Sequence, residues 1–255
     1  MDFAIGLTSV TAIYRGSRLI YPNLIGNDSG LIAWYDVSDL STLHQDTAMT
    51  IPVTMDGDPV GAVRDKRGQG LYLRQSTASS RPTLAANALS FDGVDDYLVA
   101  SVAGYPGIRE VHVATTLPPA FVGDAYQGLF GARTQYNTQI SYLVVAQVAG
   151  VHQLWAGAGT TQLKISNGIA ALMGTRCVLG YSHDGSTVRL FVNGVQIGAT
   201  GQSGSAAGTL SSIVGGINAG GGLGTPYSGQ IEGVVEFDRL LSDTERGQIV
   251  QYLAA

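Results

Sequence analysis

The chain's nearest approach to a catalytic carboxylate pair is in GQIEGVVEFD, where Glu232 and Glu236 stand four residues apart and Asp238 follows. On a regular strand Glu232 and Glu236 share a face but lie roughly 13 Å apart, beyond the about 5 to 9.5 Å used in glycoside hydrolysis. Glu236 and Asp238, about 6.6 Å apart along a strand, fit that range. Asp238 nevertheless belongs to FDRLLSD, a turn into the final helix, so no catalytic residue is assigned. Asp92, Asp95 and Asp96 form the densest acidic knot, and hard cations such as calcium take oxygen ligands of this kind. Asp92-Gly93 reads better as a turn pair, and no metal or other cofactor is expected.

The histidines, His44, His112, His152 and His183, never fall at zinc-ligand spacing. No G-x-S-x-G, phosphate-loop or G-x-G-x-x-G pattern occurs. The single cysteine, Cys177, sits in the strand-like TRCVLGYS and reads as a buried, inert thiol. Aromatic rings offer faces for stacking sugars, and Trp34, Trp155, Tyr105, Tyr126, Tyr136 and Tyr227 are the candidates. Sequence alone does not place them on one surface, and taken singly each is better explained by packing.

These groups need a scaffold, and composition points to sheets. Charged residues make up 13% of 255 residues against a usual share near 25%, with 35 Gly, 12 Tyr and 45% hydrophobic residues. The formal charge of -5 with scattered Lys and Arg leaves no basic stripe for nucleic acid. No apolar run is long enough for a membrane span. The acidic MDFAIGLTSV does not resemble a secretory signal, so the mature chain is expected to start at or near Met1.

The segments EVHVATTL, YQGLFGAR, ISYLVVAQV, HQLWAGA and TQLKIS recur at the spacing of an all-β sandwich. CVLGYSHDGSTVRLFVNGVQIGA reads as a three-stranded antiparallel meander, because Asp184-Gly185 and Asn193-Gly194 supply the positive φ that tight hairpins need. Leu31 to Tyr35 is a strand. From Ser41 to Ala88, Pro and Gly punctuation leaves short strands near Pro52–Met55 and Gly70–Arg74. SSIVGGIN reads as one strand, and in SGQIEGVVEFD one face would carry Ile231, Gly233, Val235 and Phe237. LLSDTERGQIVQYLAA then switches period: Ser242 and Glu245 form a capping box, and Ile249, Val250 and Leu253 make an apolar stripe.

Ahead of the sandwich, TSVTAIYRGSRLIYPN reads as a short hairpin about Gly16, marginal in water unless it docks on something. Aromatic and Arg residues are enriched in binding hot spots, which singles out Tyr14, Arg15, Arg18 and Tyr21 as docking residues. The division expected is residues 1–26 for the hairpin and 27–255 for the sandwich.

GLIAWYDVSDLSTLHQD, PVTMDGDPVGAVRDKRGQG, SSRPTL, LSFDGVDDYL, LFVNGVQIG and GQIEGVVEFDRLLSDTERGQIVQYL together resemble laminin-G-like, concanavalin A-like domains of bacterial and bacteriophage proteins. The resemblance covers roughly Gly30 to Ala255. It implies a two-sheet antiparallel jelly-roll sandwich, closed by a C-terminal amphipathic helix. Glucanase relatives of such sandwiches carry E-x-D-x-x-E, and this chain has Val234 where the middle acid would stand. VTAIYRGSRLIYP resembles a short element near the ends of phage tail and virion proteins.

Together these resemblances imply a non-enzymatic structural protein of the bacteriophage virion: a decoration, fibre or spike subunit. Its hairpin would dock on capsid or tail proteins, and its sandwich would face host glycans. The resembled class favours a homo-oligomer, with trimers commonest. A bacterial extracellular carbohydrate-binding module is the alternative, and a glycan hydrolase a more distant one.

Overall fold

The computed structural model describes residues 12–15, 18–22, 30–102, 107–121, 123, 125–133, 140–158, 161–202, 210–219 and 222–254. Strands β1 (Ala12–Arg15) and β2 (Arg18–Pro22) form an antiparallel hairpin that pairs with no other described strand. All remaining strands build two facing antiparallel sheets and one small hairpin.

The eight-stranded sheet runs β17 (Val195–Gln202), β16 (Thr187–Val192), β15 (Arg176–His183), β10 (Arg109–Thr116), β21 (Gln230–Phe237), β8 (Ala88–Ser90) and β7 (Thr83–Ala85). Its eighth strand, β3 (Leu31–Asp36), pairs with the second half of β21, while β8 pairs with the first. The nine-stranded sheet runs β14 (Thr161–Ile165), β13 (Val151–Ala158), β12 (Ile140–Val148), β11 (Ala125–Arg133), β18 (Leu210–Val214), β9 (Leu98–Val102), β6 (Tyr72–Arg74), β5 (Ala62–Arg64) and β4 (Leu43–His44). The meander is present as β15–β16–β17, with Asn193 and Gly194 both at positive φ in the tight turn between β16 and β17.

Ser41 to Ala88 departs from its sequence reading. Pro52 makes only an isolated bridge to His44, whereas β4, β5 and β7 add strands that the punctuation hid. Each carries one large inward apolar residue (Leu43, Val63, Leu84) in a run of only two or three residues, too short to set up a period. SSIVGGIN is likewise two strands. Positive φ at Gly215 ends β18, and β19 (Ile217–Ala219) pairs with β20 (Gly222–Gly224) as a small hairpin over the outer face of β11. Gly128 permits that approach, since a Cβ there would come within 2.7 Å of the Gly216 backbone.

The core between the sheets holds Tyr35, Val111, Val113, Phe130, Leu143, Leu179, Leu190 and Val234, all nearly inaccessible. Helix α1 (Asp243–Leu253) covers the outer side of the eight-stranded sheet. Leu241, Ile249 and Leu253 pack on Trp34, Val235 and Phe237, each buried apolar side chain contributing about 1.5–3 kcal/mol. The capping box forms as expected: Ser242 Oγ accepts from the Glu245 N–H, and the Ser242 N–H donates to Glu245 Oε2 at 2.6 Å. Strand β2 lies against this helix.

A bulge in β21 reorders its faces. Ala114 is opposite Gly233 but Thr115 is opposite Ile231, so Glu232 is an extra residue. Ile231 and Val234 therefore point into the core, while Gly233, Val235 and Phe237 point to the helix. The reading that put Ile231 with the other three fails at this bulge.

Within the core, Arg109 on β10 pairs with Glu236 on β21, and both are essentially inaccessible. Arg109 Nη2 also donates to Ser212 Oγ on β18 at 2.9 Å, and Ser212 Oγ donates to Glu236 Oε2 at 3.3 Å. The guanidinium lies 5.1 Å from the Phe130 ring centroid. A Glu236→Ala variant is expected to lose about 3–5 kcal/mol, because Arg109 is left charged and uncompensated. The double variant Arg109→Met/Glu236→Leu is expected to recover most of that, as read from urea midpoints. A single-variant loss under about 1 kcal/mol would refute this account.

Candidate functional site

The two sheets differ in what covers them. Helix α1 lies over one, whereas among the described residues the outer face of β13 and β14 has no element over it, and β12 beside them is partly covered by Ile217 of the β19–β20 hairpin. Strand alternation decides which residues stand there. On β13, Leu154 and Ala156 enter the core, so Gln153 and Trp155 point outward. On β14, Leu163 and Ile165 face inward and Gln162 and Lys164 outward.

Trp155 pairs across the strands with Val144 on one side and Lys164 on the other. Tyr126 on β11, two strands away, reaches over β12 so that its ring centroid lies 5.0 Å from that of Trp155, at 60°. Buried Val144 and Ala146 floor the pair, with Tyr142 beside them. Trp155 Nε1 donates to Gln153 Oε1 at 2.7 Å, which orients the indole. Lys164 Nζ sits 3.8 Å from the Trp155 ring centroid. Tyr126 remains 43% exposed, Trp155 is half-buried and Lys164 exposed.

Such a surface offers the exposed Tyr126 ring and phenol, the half-buried Trp155 indole with the Lys164 ammonium over it, and an amide within one patch. These are the groups that stack on the C–H face of a sugar and hydrogen-bond its rim.

The other sequence candidates lie elsewhere. Trp34 is buried beneath α1, edge-on to Tyr252 at 5.1 Å, and Tyr227 is fully buried with its hydroxyl bonded to Thr115 Oγ1 and the Thr116 carbonyl. Tyr105 and Tyr136 lie outside the described residues. The backbone of Tyr14, Arg15, Arg18 and Tyr21 is in the β1–β2 hairpin, with Arg15 opposite Arg18, but their side chains lie outside the described residues.

Glu232 and Glu236 do not share a face, because the bulge at Glu232 separates them. Glu232 points outward, where its carboxylate accepts from Thr116 Oγ1 at 2.9 Å and pairs with Arg176 at 3.4 Å. Glu236 is held by Arg109 inside the core, and Asp238 is exposed beyond the strand end. Cys177 is buried, and burial pushes its thiol up to about 12, far from a reactive thiolate. His112 and Arg246 both contact Glu110 Oε1, at 2.8 and 2.7 Å, beneath the helix.

Asp92, Asp95 and Asp96 do converge, with one oxygen from each within 4.8 Å of the others, a donor set suited to a hard cation. Local bonds already engage all three. Asp92 Oδ1 accepts from the Val94 N–H at 2.8 Å, Asp95 Oδ2 from Ser80 Oγ at 2.7 Å, and Asp96 Oδ2 from the Asp92 N–H at 3.0 Å. Burial raises the Asp96 carboxyl most. The Asp92 N–H opposes that rise and the charges of Asp92 and Asp95 add to it, leaving Asp96 at about 6.

No protein-family model matches the chain, and no curated protein sequence matches it. Among solved structures it is similar to a native heptameric SAP-like pentraxin from Limulus polyphemus, at 16% identity and a TM-score of 0.51 over 63% of this chain and 80% of that one. It is also similar to the Trypanosoma rangeli sialidase in complex with 2,3-difluorosialic acid, at 13% identity and a TM-score of 0.61 over 88% of this chain. The matched part is 33% of the sialidase chain. The pentraxin and sialidase likenesses establish the fold, a lectin-like, concanavalin A-like jelly-roll sandwich.

A folded-state value of about 6 for Asp96, above its ordinary 3.8, means the folded protein binds a proton more tightly than the unfolded chain. The proton's contribution is complete below about pH 4 and is lost as pH rises through 6, so the charged carboxylate destabilises the fold at neutral pH. Asp96→Asn keeps an acceptor for the Asp92 N–H and is expected to gain about 1–2 kcal/mol at pH 7.5. Thermal melts from pH 4 to 8 check this: the gain should shrink towards zero at the acid end, and a pH-independent difference would contradict it.

Proposed function

We propose that this chain is a non-enzymatic adhesion protein of a bacteriophage particle, a decoration, fibre or spike subunit whose open sheet face meets a glycan of the host surface. The observation that carries the glycan part is the Tyr126–Trp155 pair with Lys164 on the uncovered face of a lectin-like sandwich. The placement of the acids favours binding over hydrolysis, since Glu236 is engaged by Arg109 and Glu232 is turned to the other side of its sheet.

The virion part rests on the likeness of VTAIYRGSRLIYP to elements of phage tail and virion proteins. It is supported by a hairpin that forms a two-stranded sheet of its own and contributes to neither large one. Tyr14, Arg15, Arg18 and Tyr21 would dock the subunit on a capsid or tail protein, in several copies and in threefold arrangement. A bacterial extracellular carbohydrate-binding module would use the same aromatic face, so that alternative differs in anchoring rather than in the glycan site.

Two measurements test the reading. On a glycan microarray, Trp155→Ala and Tyr126→Ala are expected to weaken binding about tenfold or more. A wild-type protein that binds no glycan, or variants that bind undiminished, would remove the adhesion role. Mass spectrometry of purified particles should find the wild type and miss a Tyr14→Ala/Tyr21→Ala variant of unchanged melting temperature. Full incorporation of that variant would remove the docking role, and turnover of a bacterial polysaccharide by the purified wild type would remove the non-enzymatic one.

A further inference from the structure

The charges of this acidic protein are sorted by sheet. None of the nine strands of the open sheet contains an Asp or a Glu, whereas the covered sheet includes Asp36, Glu110, Glu232 and Glu236. Among the described cations, Lys66, Arg109, Arg176, Arg189, Arg239 and Arg246 pair with carboxylates. Arg81 donates to the carbonyls of Gln75, Gln45 and Ser76, and Arg67, in the turn after β5, has an electrostatic partner in Asp65.

Arg64, Arg74 and Lys164 form no ion pair among the described residues, and all three stand on the outer face of the open sheet. Lys164 belongs to the aromatic patch. Arg64 and Arg74 make a second patch at the other end of the sheet. Val63 and Leu73 enter the core, which turns Arg64, Tyr72 and Arg74 outward on β5 and β6. Arg64 is directly opposite Tyr72, and the Arg74 guanidinium lies 4.9 Å from the Tyr72 ring centroid. Asp65, next in sequence, turns away: its Oδ1 accepts from the Trp34 N–H at 2.9 Å and the residue is buried.

Trp155 and Tyr72 stand on strands five spacings apart, roughly 24 Å, with the β19–β20 hairpin over β11 between them. The second patch is therefore a separate contact point on the same face, and a single sugar does not reach both.

We propose that Arg64, Tyr72 and Arg74 form a subsite for a uronic-acid residue, and that the glycan bound by this face is a carboxylate-bearing polysaccharide. A pyranose ring stacks on Tyr72 while its carboxylate is met by the two guanidinium forks, whose planar donors match a carboxylate in bidentate fashion. An acidic polysaccharide carries its charges one sugar at a time, which suits two cationic patches set far apart on a protein of net charge -5. A nucleic acid, with its denser charge, would meet repulsion from the rest of the molecule.

This inference rests on the adhesion reading, and the experiment separates the two. Full-length protein is titrated in 50 mM and 500 mM NaCl with polygalacturonate, with its fully methyl-esterified counterpart, which has the same backbone without charge, and with a single-stranded oligodeoxynucleotide. Wild type is expected to prefer polygalacturonate over the ester about tenfold at low salt, and that preference should shrink at high salt. In Arg64→Ala/Arg74→Ala, whose replaced side chains are exposed and in no ion pair among the described residues, the ratio of the two affinities should fall to about one.

No preference for the acid, a preference that survives the double variant, or equal binding of the oligonucleotide would overturn the proposal. If neutral glycans still bind through Trp155 while the acid has no advantage, this inference falls and the adhesion reading stands. If no carbohydrate binds at all, both fall.

Discussion

The buried Arg109–Glu236–Ser212 contact carries the charge that joins the two sheets across a largely apolar core, with the Ser141–Tyr181 hydroxyl pair as a second, neutral link between them. Hydrophobic contacts between facing sheets tolerate sliding, because one Val or Leu fits against another at many offsets. A buried guanidinium does not, since desolvating it without its carboxylate costs several kcal/mol. The pair therefore sets how β10 and β21 sit over β18, and with that the relation of the open face to the covered one. It also accounts for Glu236 in a chain whose wider likeness includes glycosidases: the group that resembles a catalytic acid in the sequence is a structural one in the fold.

Legibility in the sequence followed the density of local signals. The meander was readable because Asp184-Gly185 and Asn193-Gly194 state both turns and Val188 and Leu190 state the inner face between them. The terminal helix was readable because Ser242 and Glu245 are three residues apart before an apolar stripe. Strands β4, β5 and β7 were not, since two or three residues cannot establish a period and their pairing depends on partners far along the chain. The bulge at Glu232 was equally hidden. Nothing in IEGVVEF marks where the alternation slips, although the slip decides which glutamate enters the core.

The candidate site was legible residue by residue and illegible as a place. Trp155 and Tyr126 could be named as stacking rings, but 29 positions separate them, and only the pairing of β11, β12 and β13 brings them together. Cations that look scattered along the chain are sorted by the sheets: those on β10 and α1 find carboxylates, while those on β5, β6 and β14 face solvent. That sorting is a property of strand order rather than of composition, which is why net charge alone gave no hint of a basic surface on an acidic protein.

The fold also has a back and a front. Helix α1 and the β2 strand resting against it lie on the side of the eight-stranded sheet, with the aromatic and cationic patches on the opposite side, one sandwich thickness away. A subunit gripped from the helix side turns its open sheet to the surrounding medium however it is rotated about the axis of attachment. Orientation is then inherited from the layering of the sandwich, and a rigid body needs no hinge or long stalk to aim its binding face.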